Sequence, residues 1–292
     1  MIDFLEPVEM PKIGLESPIS ELIVHLEQLR GCNSFLSGFA TDAHVVTPEA
    51  WLSQLGTIYE GAAFPDMESV ESIEAHIRDL HRAVVGETGG NYRRIDYVPG
   101  LMWDLARFLR VKHSSQFDFF KTAFVFRRLL WIHPFPTENL AVARALAREM
   151  LAGIVGNPVL RLFDFSVAFA DDDSDNGRDL LVKSESTLRG ILRELERATR
   201  LSRMDYVRTE LLEPALQNLE HRRVLNDREM AAMKVAASIP EFGAQELAGV
   251  WGDQFLRSRC IRKMLADGLI VPLKQGGRKY TLNLARLLQS KP

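Results

Sequence analysis

Apolar residues recur at three- and four-residue spacing through most of this chain. That period constrains the fold more than any other feature, because it gathers those residues on one stripe of an α-helix. Ser20–Leu29 puts Leu22, Ile23, Leu26 and Leu29 on one face behind a Ser cap. Thr47-Pro48-Glu49 reads as a helix start, Thr as the cap and Pro in the first turn, followed by Trp51, Leu52 and Leu55. Ser69–Val85 repeats the pattern with Ile73, Ile77, Leu80 and Val84. Gly86–Gly100 interrupts it: glycines and a proline flank Tyr-Arg-Arg-Ile-Asp-Tyr-Val, which predicts a loop or small hairpin. Helices resume over Leu101–Arg110 and Phe117–Ile132, the second ended by Pro134 and Pro136. Further helices are expected over Thr137–Val155, starting at Thr137 or Asn139, and over Leu180–Thr199 and Met204–Leu219.

The texture changes after about Arg222. Asn226-Asp227-Arg228-Glu229 caps a short helix ending near Ser238, Phe242–Val250 is expected as a second, and Gln254–Asp267 as a third closed by Gly268. Leu269-Ile270-Val271 and Lys279-Tyr280-Thr281-Leu282 then flank a Gly276-Gly277 turn, a hairpin signal. Three helices followed by a basic hairpin is winged helix-turn-helix architecture. The 292 residues therefore divide into an N-terminal helical region over 1–60, a core domain over 61–220 and a winged helix-turn-helix domain over 221–292.

A net charge of −3 gives no overall pull toward nucleic acid or anionic membrane, so any such affinity must come from a local patch. Cys32 and Cys260 stand far apart without Cys or His neighbours, which argues against a disulfide framework or a structural zinc and for a reducing, cytoplasmic setting. Met1–Pro11 carries acids and no long apolar run, unlike a signal peptide. Phe117–Phe135 is the most apolar stretch, but Asp118, Lys121, Arg127, Arg128 and His133 make it a buried core helix rather than a membrane span. The acidic run Asp171–Gly177 lacks the Glu that would complete a calcium loop, and reads as a solvated turn.

The segment that carries chemistry is Trp131-Ile132-His133-Pro134-Phe135-Pro136-Thr137-Glu138-Asn139-Leu140-Ala141-Val142-Ala143-Arg144. A helix ends, a Pro-rich loop presents a His, and a new helix begins. A helix start gathers unpaired N–H groups and partial positive charge, so it can hold phosphate. His133 beside it could deprotonate a hydroxyl, and Arg144 one turn on could reach a phosphate. Read from residues alone, a His before Pro-Phe is more often a packed loop residue.

This segment resembles the signature of the Fic (filamentation induced by cAMP) family, H-P-F-x-D/E-G-N-G-R-x-x-R. Leu80-His81, Gly90-Asn91-Tyr92-Arg93, Tyr97-Val98-Pro99, Leu101-Met102-Trp103-Asp104-Leu105 and Phe108-Leu109 are similar to that family's run from helix through flap to helix, in the same order. The resemblance covers roughly residues 22–219, and many Fic proteins also carry a C-terminal winged helix. It implies a mainly α fold: a Fic-type helical bundle with a small β-hairpin flap, plus the winged domain. It implies transfer of AMP from ATP to a protein Ser, Thr or Tyr. His133 would be the catalytic base, with Thr137, Glu138, Asn139 and Arg144 at the nucleotide phosphates and a flap at Tyr92, Arg93 and Tyr97 that docks the target. ATP and Mg²⁺ are the cofactors so implied, at a weakened site.

The match is incomplete. His133, Pro134, Phe135, Asn139 and Arg144 agree; Thr137 replaces the acid, Glu138 and Leu140 the two glycines, and Ala141 the first arginine. Mg²⁺ would lose its charged ligand at Thr137. Glu138 and Leu140 restrict the backbone, Glu138 adds negative charge, and Ala141 removes a cation. Several contacts weakened by about one to three kcal/mol each would abolish useful turnover. The family's inhibitory pattern S/T-x-x-x-E-G/N falls on Ser34–Thr47, where Gly38 and Asp42-Ala43 do not reproduce it.

In the C-terminal domain Arg257, Arg259, Arg262 and Lys263 lie along the third helix and Arg278 and Lys279 on the wing, where a winged helix meets major groove and backbone. The competing reading is a solvated basic face used for packing. Three functions are thus expected to compete: a regulatory DNA-binding protein with impaired AMP transfer, a working AMP transferase with Glu138 holding the metal, and a peptide-binding module using the flap edge. The partners weighed are a protein target, duplex DNA and a second copy of the chain, with no membrane.

Overall fold

The computed structural model describes residues 13, 16–39, 42–56, 62–112, 114–156, 159–170, 179–222 and 224–289. The N-terminal leader reading and the acidic loop Asp171–Gly177 lie outside the described residues. The protein is mainly α-helical, with one two-stranded antiparallel sheet among the described residues. It comprises two compact units.

The first unit contains residues 1–34, 60–156 and 164–196. Its centre is α5 (Asp118–Ile132), packed against α4 (Val98–Arg110) and α6 (Asn139–Ala152); α3 (Val70–Val85) closes the bundle against α4 and α6. α5 is enclosed over most of its surface: Phe119, Phe120, Ala123, Val125, Phe126 and Leu129 are buried, and Asp118, Lys121 and Arg128 are partly exposed. Each such large side chain contributes about 1.5–3 kcal/mol of transfer free energy. The Arg127 charge expected to keep this helix out of a membrane is itself buried; Nε donates to Thr187 Oγ1 (2.7 Å). α3 begins as its sequence predicts, with the Ser69 hydroxyl accepting from the Ser72 N–H. α1 (Pro18–Gly38) extends further than its Ser20–Leu29 stripe. No helix among the described residues is long and apolar enough to cross a membrane.

The second unit contains residues 35–59, 157–163 and 197–292. α10 (Glu213–His221), α11 (Asp227–Ser238), α12 (Gln254–Ala266), the hairpin of β1 (Ile270–Pro272) and β2 (Tyr280–Leu282), and α13 (Leu284–Gln289) share one core with the early helix α2 (Glu49–Leu55). Trp51 of α2 is fully buried and its indole donates to Thr281 Oγ1 (2.8 Å). Asn226 and Glu229 form a reciprocal capping box on α11, and Gly268 closes α12 at φ +69°.

Several expected elements differ. No hairpin forms over Gly86–Asp96; the segment is a series of turns. Phe242–Val250 is not a helix but a chain of turns, because Phe242 pairs with Tyr280 as an isolated bridge and the Gly243 N–H donates to Glu246 Oε2 (2.8 Å), folding the segment onto the hairpin. Thr47 does not cap α2: its hydroxyl donates to Leu201 O (2.7 Å), leaving Pro48 at the cap.

Candidate functional site

α5 stops because His133 turns left-handed (φ 49°, ψ 58°) while its N–H still donates to Leu129 O (3.0 Å), and Pro134 offers no N–H to continue. Phe135 then inserts fully into the core. Asn139 clasps the loop around it: Oδ1 accepts from the Phe135 N–H and Nδ2 donates to Phe135 O, both at 2.9 Å. Glu138 is the second left-handed residue (φ 59°, ψ 23°), and α6 starts directly after it. His133 and Glu138 are the non-glycine residues at positive φ among the described residues, so backbone strain is concentrated in this one loop. A left-handed non-glycine residue costs about 1–2 kcal/mol.

The Gly86–Asp96 turns are fastened to that loop. The Arg93 N–H donates to Pro134 O (2.8 Å), and Arg93 Nη2 to Ile132 O (3.2 Å). His81 of α3 accepts the Gly90 N–H on Nδ1 (2.7 Å) and stacks flat on Phe135, ring centroids 4.0 Å apart. Gly90 is required here: its φ is +87°, and a Cβ would lie 2.6 Å from Arg82 Nε. Tyr92 packs obliquely on Phe135, with the Arg78 guanidinium over its ring at 4.3 Å. Burial pushes the Tyr92 phenol well above its ordinary value.

The residues singled out in the sequence thus take different parts. His133, Thr137 and Glu138 are exposed, and the His133 imidazole has no hydrogen-bond partner among the described residues. Asn139 is buried and both polar atoms of its amide are engaged by Phe135. Arg144 is half-buried and its Nε donates to Phe169 O (3.0 Å). Tyr92 and Arg93 are half-buried in the loop, not displayed on a strand edge; Tyr97 is exposed ahead of α4. Along this segment the N–H groups of Gly90, Arg93 and Ile95 are engaged within the protein. His81 is the residue whose part the sequence reading missed. Its signal was present: it continues the buried Ile73, Ile77 stripe at i+4.

In the second unit the six candidate cations also divide. Lys263 Nζ lies 2.7 Å from both Glu229 carboxylate oxygens, and Lys279 Nζ 2.7 Å from Glu246 Oε1. Arg257 braces the turn segment through Nη1 to Ala244 O (3.1 Å). Arg259, Arg262 and Arg278 are exposed and carry no ion pair with any described residue. Next to them on α12, Phe255 and Leu256 are also exposed.

No cluster of three or more His, Cys, Asp or Glu side chains suited to a metal occurs among the described residues.

A crystal structure of a Fic family protein from Desulfovibrio desulfuricans G20 at 2.70 Å resolution is similar to this chain, with a TM-score of 0.46 and 15% sequence identity, over 94% of this chain and 98% of that one. No family model and no curated protein matches the sequence.

Proposed function

We propose that the His133 loop is the eroded phosphate cradle of a Fic-like adenylyl-transfer site, and that the protein is a regulator acting on duplex DNA through its winged unit. The observation that carries the first half is the Asn139 clasp. The Asn of the motif-like segment satisfies both amide atoms on the Phe135 backbone, so it holds the loop rather than a ligand. Arg144 is turned to a main-chain carbonyl, and Thr137 and Ala141 bring no charge. These residues do not fit Mg²⁺-ATP: the acid at 137 is missing, and an exposed Glu138 carboxylate stands where an anion would sit. No catalytic step is therefore derived through that nucleotide.

DNA binding is supported by Arg259, Arg262 and Arg278, exposed and without an ion pair to any described residue, on the helix and wing that meet DNA in this architecture. The working-transferase reading keeps one supporting observation: the Glu138 side chain makes no cap hydrogen bond to α6.

Incubation with α-labelled ATP, Mg²⁺ and cell extract tests the first half. No label transfer is expected; transfer that disappears in His133→Ala overturns it. Duplex binding titrated against salt tests the second. With three phosphate-facing cations, the slope of log K against log salt is expected near about −3. Binding that is absent, or unaffected by Arg259→Ala, overturns it.

A further inference from the structure

Within the second unit, the helical segment Met204–His221 is widened by a π-turn over Val207–Leu212. Pro214, just beyond, lacks the N–H that a regular helix would direct back along the axis, which accounts for the altered bonding locally. The wide turn stands opposite α11, and between them lies a cavity of about 440 Å³. Its floor is apolar: Leu212, Leu216 and Ala237. At one end Arg208 Nη2 donates to Ser238 O (2.6 Å), bridging the π-turn to the last carbonyl of α11. Across the cavity Glu220 and Lys234 pair at 3.5 Å.

Those two charges answer each other. Arg208 and Glu213, which line the same cavity, do not: neither makes an ion pair with any described residue. Arg208 meets only a neutral carbonyl through Nη2, and Glu213 is exposed. The lining therefore offers one cation, one anion and an apolar strip. A simple carboxylate would meet Arg208 but face Glu213; a simple amine would face the reverse. A volume in the range of small-molecule sites suits a compact ligand.

We propose that this cavity binds a small zwitterion with an apolar chain, such as an apolar α-amino acid, its carboxylate at Arg208 and its ammonium at Glu213. The cavity borders α11, whose Glu229 holds Lys263 of α12, so an occupant would sit one helix away from the exposed Arg259 and Arg262 of α12.

Ligand-observed NMR and thermal shift on the full chain decide the matter, with L-leucine, 4-methylpentanoate and 3-methylbutylamine as probes. Saturable binding and a raised Tm are expected for leucine, with each single-charge analogue at least about tenfold weaker. Glu213→Gln, at an exposed position, should weaken leucine by about tenfold, and Arg208→Gln likewise. Leu216→Trp, which fills the floor, should abolish binding while circular dichroism stays native. Equal binding of either analogue overturns the proposal. So does the absence of binding by all three probes, or leucine binding unchanged in both Glu213→Gln and Leu216→Trp.

Discussion

The His133 loop and the second unit obey local sequence rules to opposite degrees. In the second unit, Asn226 and Glu229 cap α11 reciprocally, Gly268 takes the left-handed position after α12, and Gly276 takes one in the hairpin at φ +74°. In the loop the left-handed positions belong to His133, a residue type that enters that region more often than most, and to Glu138, which has no such preference. One region is built from residues suited to their backbone; the other holds an unsuited Glu138 beside a buried Phe135 that Asn139 clasps. Local conflict held by surrounding structure is the ground on which the eroded-site reading is proposed. Here Glu138 occupies a left-handed backbone that glycine would adopt without cost, at the position where the Fic-like pattern has one.

The contrast can be broken by substitution, and the largest effect is expected in the well-formed unit. Trp51→Ala removes a fully buried indole and its bond to Thr281, and should cost about 3–5 kcal/mol, read as loss of the denaturation transition of that unit. A fragment over 221–292 lacks Trp51 and should show no cooperative unfolding. In the loop, Asn139→Ala leaves the buried Phe135 N–H and carbonyl without these partners, a cost of about 1–3 kcal/mol by chemical denaturation. Asn139→Asp should not restore it fully, because a carboxylate cannot donate to Phe135 O. Glu138→Gly should do the opposite and stabilise by about 1 kcal/mol, since it relieves the left-handed strain. A destabilised Glu138→Gly protein would contradict the strain argument.

Smaller effects follow from the ion pairs. Lys279 holds the Glu246 carboxyl below its ordinary value against the opposing effect of burial. At Glu229 burial also opposes ionisation, but Lys263 and the Asn226 N–H outweigh it. Both depressed carboxyls contribute stability that is present above the unfolded glutamate value of about 4.3 and lost as pH falls through their lower folded values. Solvent screening keeps the Glu246 share below about 1 kcal/mol. Wild type and Glu246→Gln should therefore differ at pH 7 and converge in acid, measured by denaturation midpoint. Burial pushes the Cys260 thiol up to about 11, with the Glu229 charge adding to it, whereas Cys32 is exposed. Alkylation at pH 7 should label Cys32 in the native protein and Cys260 only on unfolding.

What could be read from the chain follows the range of the interactions. The end of α5 at Pro134, the α11 cap and the Gly-closed α12 are set within a few residues, and the sequence states them. Thr47 answers to Leu201, Trp51 to Thr281 and Phe242 to Tyr280. These partners are distant along the chain, so a cap, a membership and a helix were misread from local pattern. The Gly86–Asp96 segment carries hairpin-like residues, but its N–H groups find His81 and Pro134 before they can find a second strand. At the site, the residue types at His133, Asn139 and Arg144 were legible. That Asn139 and Arg144 serve the fold was not, because it depends on where Phe135 and Phe169 carry their carbonyls.

Calorimetric titration of Mg²⁺-ATP into wild type and into the variant Thr137→Asp, Glu138→Gly, Leu140→Gly, Ala141→Arg compares the loop as it stands with the loop as the Fic-like pattern would have it. Negligible heat from the wild type and saturable binding by the fourfold variant, lost again on adding Arg144→Ala, is the predicted outcome. A folded variant that binds no better than wild type would mean that the turn between α5 and α6 is no phosphate site, eroded or otherwise.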